Sequence, residues 1–124
     1  MSNLLLKLTL ITFCVFVSNM SHATDAAIGP VTLDTVGIVN VAGFGHAAGN
    51  LEVKITNGIS NLNGASCDPN YLTTRNTGEG FDAMVSVLLT AQVSGKSVLL
   101  GITDNPAHNA FPGRCSLVYA VITK

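Results

Sequence analysis

The chain has 124 residues, with 6 Lys or Arg against 7 Asp or Glu for a formal net charge of −1; 48% of the residues are hydrophobic and only 10% are charged. That length fits one domain, and the near-neutral balance without a basic stripe excludes the phosphate-neutralising surface that nucleic-acid binding requires. No G-x-S-x-G or H-E-x-x-H spacing occurs, so no nucleophile elbow or zinc helix is expected, and neither a cofactor nor a metal site is anticipated.

The N-terminus reads as an export signal. Lys7 precedes the uncharged apolar run Leu8–Val17, and small residues follow at Ser21 and Ala23, the order of a secretory leader with cleavage after Ala23. The run is shorter than the roughly 20 residues that span a bilayer, so no membrane span is expected after cleavage. The secreted or periplasmic domain then comprises residues 24–124. Cys14 leaves with the leader, and Cys67 and Cys115 remain. In an oxidising compartment such a pair reads as a disulfide rather than a nucleophile or metal site. It closes a loop of about 48 residues, worth roughly 4 kcal/mol in the chain-entropy account.

In chain order, TDAAIGP reads as a mobile lead-in ending at Pro30. Val31 to Val41 is rich in β-branched residues and reads as a strand, with Gly37 marking a bulge or bend. AGFGHAAGN is a glycine-rich turn. Leu51, Val53 and Ile55 then alternate with Glu52, Lys54 and Thr56, a half-buried strand that ends in the turn dipeptide Asn57-Gly58. After Cys67-Asp68-Pro69, NYLTTRN reads as a short strand. Phe81, Met84, Val85, Leu88 and Leu89 recur at helical spacing, with Asp82 at the start and Gly95 at the stop, which places one helix near 81–94. SVLLGIT (Ser97–Thr103) and SLVYAVIT (Ser116–Thr123) are strands; the last is apolar on both alternations, which implies a strand covered on both faces, in a barrel or under a helix or a neighbouring subunit.

The expected fold is mainly β with one α-helix, in the order strand, strand, short strand, helix, strand, strand. That is the plan of a small OB-like five-stranded barrel, which leaves no exposed edge; an open α+β sheet is the alternative. The unit Phe81-x-x-Met84, Leu88, Leu89, Ser94-Gly95-Lys96-x-Val98, with one cysteine before the helix and another near the last strand, resembles small secreted proteobacterial proteins and, among characterised folds, the B subunit of subtilase-type cytotoxins. The resemblance covers roughly the second half of the chain. It implies OB-like protomers in a homo-oligomeric ring that binds sialylated glycans. Val36 stands before Gly37 where that family carries a short polar residue used in glycan contact, so the sugar preference does not carry over.

Candidate site residues follow from the loop TDNPAHNAFPGR. It is long, is punctuated by Pro106 and Pro112, and presents Asp104, Asn105, His108, Asn109, Phe111 and Arg114, planar polar groups with an aromatic that suit a ligand-binding loop. His46 lies among glycines, and a hydrolytic role would need it or His108 to meet a carboxylate in one cleft. The helix is apolar beyond one stripe at Val87 and Ala91, which makes them candidates for a subunit interface. The expected function is a secreted, non-enzymatic binding module for a glycan or cell-surface receptor; the alternative is a periplasmic or envelope protein with a structural or inhibitory role.

Overall fold

A computed structural model describes residues 22–124, so the expected export signal lies, up to Ser21, outside the described residues. The elements are β1 (Asp25–Val31), β2 (Leu33–Ile38), β3 (Leu51–Ile55), β4 (Tyr71–Thr74), α1 (Phe81–Ser94), β5 (Val98–Thr103), a 3-10 turn (Pro106–His108) and β6 (Ser116–Ile122). The lead-in expected to be mobile is therefore a strand. Asp25 to Ile28 pair with Thr103 to Leu100, and the register shifts before Val31 meets Val98. Gly29-Pro30, which reads locally as a stop, is only an irregularity within this strand. Gly29 adopts φ +110°, and a Cβ there would lie 2.6 Å from the Val98 carbonyl oxygen, so only glycine fits.

The strands form two three-stranded antiparallel sheets, β1-β5-β6 and β2-β3-β4, rather than one closed five-stranded ladder. Two features separate them. Pro30 removes a donor where β1 passes towards β2, and β4 has only four residues with which to reach β6. Besides the core they share, the sheets are joined by two hydrogen bonds between β4 and the start of β6: Thr73 N–H donates to the Cys115 carbonyl (3.1 Å) and Leu117 N–H to Thr74 Oγ1 (3.1 Å). The β2 register shift falls between Leu33 and Thr35 and not at Gly37.

The alternation of β3 is as its sequence requires: Leu51, Val53 and Ile55 are buried. They meet Leu72, Leu100, Ile102 and Val98 in one core, which Phe81, Leu88 and Ala91 of α1 complete. The helix packs on β2 and β6. Gly95 ends it in the left-handed region at φ 67°, with its own N–H and that of Lys96 turned back to the last helical carbonyls. The disulfide Cys67–Cys115 is formed, with Cα atoms 5.5 Å apart.

β6 departs from expectation. Ser116 and Leu117 are buried, but Val118, Tyr119 and Val121 are 55%, 43% and 51% exposed. α1 and β4 thus cover β6 only in part, and these three side chains remain open to solvent. Leu89 and Val93 of α1 are also exposed, whereas Val87 is half-buried and Ala91 is wholly inside the protomer's own core. Ala91 cannot also meet a neighbour; the apolar surface left over lies on Leu89, Val93 and β6.

Candidate functional site

The outward side of β2-β3-β4 carries Glu52, which faces Gly37 on one neighbour and Thr73 on the other. Two loops descend onto this carboxylate. Arg114, held beside the disulfide, donates from Nη1 to Glu52 Oε2 at 2.6 Å, and His46 Nε2 lies 3.1 Å from the same oxygen. The Arg114 guanidinium lies 4.4 Å from the Tyr71 ring centre and 4.2 Å from that of Phe111, and the His46 ring lies 4.6 Å from that of Phe111. A guanidinium between two aromatic faces with a carboxylate at its edge is charge-neutralised and well packed. Thr73, on the same side of the sheet as Glu52, is fully buried with its hydroxyl unpartnered.

His46 thus meets a carboxylate, the condition set for hydrolytic chemistry. The pair nevertheless lacks the rest of such a site: no serine, threonine or cysteine is bonded to the His46 ring among the described residues, and Glu52 Oε2 is shared with Arg114. The arrangement is a clasp that holds the 41–49 hairpin and the 104–115 loop onto one strand.

The predicted loop residues divide accordingly. Asp104 is structural: Oδ1 accepts from Thr24 N–H at 2.6 Å and Oδ2 from Ser66 N–H at 3.0 Å. Asn105 Oδ1 caps the 3-10 turn by accepting from Ala107 N–H, and Asn109 Oδ1 accepts from Phe111 N–H. Phe111 and Arg114 belong to the clasp. Of the six, His108 also lines a cleft, and Asn109 a neighbouring surface hollow.

That cleft, about 300 Å³, opens between the start of α1, the 3-10 turn and strands β4 and β6. It is lined by apolar Phe81, Met84, Leu117 and Val118 and by polar Thr74, Arg75, Thr103, His108 and Ser116. Arg75 is fixed by donating to the carbonyls of Asn109 (2.8 Å) and Ala107 (3.4 Å). Sequence reasoning missed Glu52, Tyr71 and Arg75. Glu52 was legible as the outward charge of an alternating strand, but its partners lie 6 and 62 residues away and no local spacing reveals them.

The bonds from Thr24 and then Ser66 hold the Asp104 carboxyl below its ordinary value of 3.8. A carboxyl depressed in the folded state stabilises fully above its unfolded value, and that stability is lost as pH falls through the folded one. The wild-type protein is therefore expected to lose stability progressively below about pH 4, and Asp104→Asn to flatten that part of the profile. Urea midpoints measured from pH 2 to 6 check it; parallel profiles would refute it.

No protein-family model matches the chain, and no curated protein or solved structure matches it either.

Proposed function

We propose that the chain is an exported, non-enzymatic binding module, its two sheets being the halves of an OB-like barrel, and that the α1–β6 cleft takes a sugar ring of a cell-surface glycan. The observation that carries this reading is the composition of the cleft: apolar side chains together with threonine and serine residues, an arginine and a histidine, around a space of about 300 Å³. A sugar has the same mixed character, and small-ligand sites pair apolar walls with a few fixed polar groups in this way.

Export agrees with the formed disulfide and with β1 starting at Asp25, just after the expected cleavage point. Cleavage after Ala23 would turn the Thr24 amide, already 2.6 Å from Asp104 Oδ1, into an ammonium facing a carboxylate. Assembly into a homo-oligomer would cover the exposed β6 edge with Leu89 and Val93, and multivalency would raise the avidity of a weak sugar site.

The test is a glycan array probed with protein beginning at Thr24, together with light scattering on the same sample. Binding that is lost in Arg75→Ala and Met84→Gln supports the cleft. Absence of glycan binding together with a monomeric mass would move the function to a structural or inhibitory role in the envelope.

A further inference from the structure

The tip of the 41–49 hairpin is built against its own backbone preference. Gly43 and His46 exchange both main-chain hydrogen bonds, at 3.1 and 2.9 Å, around Phe44 and Gly45. Both central residues have positive φ, 51° and 83°. This two-residue turn normally takes Asn or Gly at its first central position. A bulky aromatic in the left-handed region is strained there. The strained ring gains no burial inside the protomer: Phe44 is 103% exposed, and Val41 and Ile38 beside it are 73% and 50% exposed.

The base of the hairpin, by contrast, is tied down. His46 is held by Glu52 and lies against Phe111, and Gly49 lies against Asn76, where an added Cβ would meet Nδ2 at 2.9 Å. A strained, fully exposed aromatic on a fixed base is preorganised to enter a pocket, and such aromatic anchors dominate the energetics of many interfaces.

The molecule also carries a pocket that fits this ring. The α1–β6 cleft offers Phe81, Met84 and Leu117 in about 300 Å³, against the roughly 150 Å³ of an apolar cavity known to take a benzene ring. The hairpin that carries the ring adjoins the cleft: Ala47 and Ala48 share a surface hollow with Arg75 and Thr77, and those two residues also line the cleft. No Asp, Glu, Lys or Arg occurs from Thr35 to Leu51, so two hairpins can approach without formal-charge repulsion.

We infer that Phe44 of one copy enters the α1–β6 cleft of a second copy, with the exchange made reciprocally across a two-fold axis. A ring and a cleft on the same chain make such a contact self-complementary. Two phenyl rings bury roughly 300–500 Å², well short of the roughly 1,200 Å² of stable interfaces, so the pairing is weak and concentration-dependent. It also closes the cleft, so a bound sugar and the second copy exclude one another.

Sedimentation velocity from micromolar to millimolar protein tests this, with Phe44→Gly as the informative variant. Glycine relieves the backbone strain, so the variant is expected to melt at a higher temperature than wild type while self-associating at least tenfold more weakly. The Met84 methyl NMR signal should shift with concentration in the wild type and stay fixed in Phe44→Gly. Any assembly through β6 is removed separately by Val121→Lys, which should leave the Phe44-dependent step in place. A wild type that shows no Phe44-dependent step up to millimolar concentration overturns the inference, as does an unchanged association in Phe44→Gly. Phe44-dependent binding to phosphatidylcholine vesicles without self-association would also overturn it and assign the tip to lipid. Each of these outcomes leaves the glycan reading of the cleft to its own test.

Discussion

Replacing both Cys67 and Cys115 with alanine is expected to lower the unfolding free energy by about 4 kcal/mol. The bridge spans 48 residues of sequence, so its removal frees a long loop in the unfolded chain. In the folded state it joins the segment before β4 to the start of β6, beside the Thr73–Cys115 and Leu117–Thr74 hydrogen bonds that link these strands of the two sheets. Cys115 is fully buried, and its carbonyl accepts from Thr73 N–H. Arg114 next to it is the cation of the Glu52 clasp. Against a typical total of about 5–15 kcal/mol, a loss of this size leaves a small domain near the edge of folding. Urea unfolding with and without reductant measures it: reductant should reproduce the double variant's midpoint in the wild type and leave the variant unmoved. A wild-type midpoint that reductant shifts by less than 1 kcal/mol equivalent would show that the sheets hold together without the bridge.

Leu88→Ala is expected to cost about 2–5 kcal/mol, from lost transfer energy and the cavity left behind. Leu88 is the fully buried centre of α1, between Phe81 and Ala91, and the helix packs there on both β2 and β6. The same helix supplies Phe81 and Met84 to the cleft, so the substitution should weaken ligand binding as well as stability. Val93→Lys, on the same helix at an 81% exposed position, should change monomer stability by no more than about 0.5 kcal/mol. Thermal melts of the two variants side by side separate the buried stripe from the exposed one; equal losses would mean that the helix is docked otherwise.

The helix was the most legible element. Its apolar spacing, Asp82 at the start and Gly95 at the stop all act within one or two turns, and the bounds Phe81–Ser94 follow from them. β3 was legible for the same reason, since period-two alternation is local. The Asn57-Gly58 turn also holds, with both residues at positive φ. β1 was not legible. Gly29-Pro30 carries the local signature of a break, but pairing with β5 supplies hydrogen bonds and a buried place for Ile28 that outweigh the local preference. In β6 the all-apolar pattern marks the strand but not its cover: within this chain Val118, Tyr119 and Val121 stay exposed.

The candidate site was half legible. The loop that reaches it was visible from its length and prolines, yet most of its polar side chains hold the loop itself in shape. Asp104, Asn105 and Asn109 accept backbone N–H groups, which short polar side chains do readily in turns. The residues that give the site its charge and shape, Glu52, Tyr71, Arg75 and Met84, come from three other elements or their flanks.

By itself the sequence determined the elements whose cause is local: the alternation of β3, the period and ends of α1, the turn at Asn57-Gly58 and the presence of two cysteines beyond the leader able to pair. Tertiary structure alone decided that the strands divide into two sheets and that His46 and Arg114 share one oxygen of Glu52. It also decided that the start of α1, the 3-10 turn and residues of β4, β5 and β6 line one cleft. Local order depends on neighbours a few residues apart, which the sequence states directly. A site depends on which distant segments the buried core brings together, and that is fixed only when the whole chain packs.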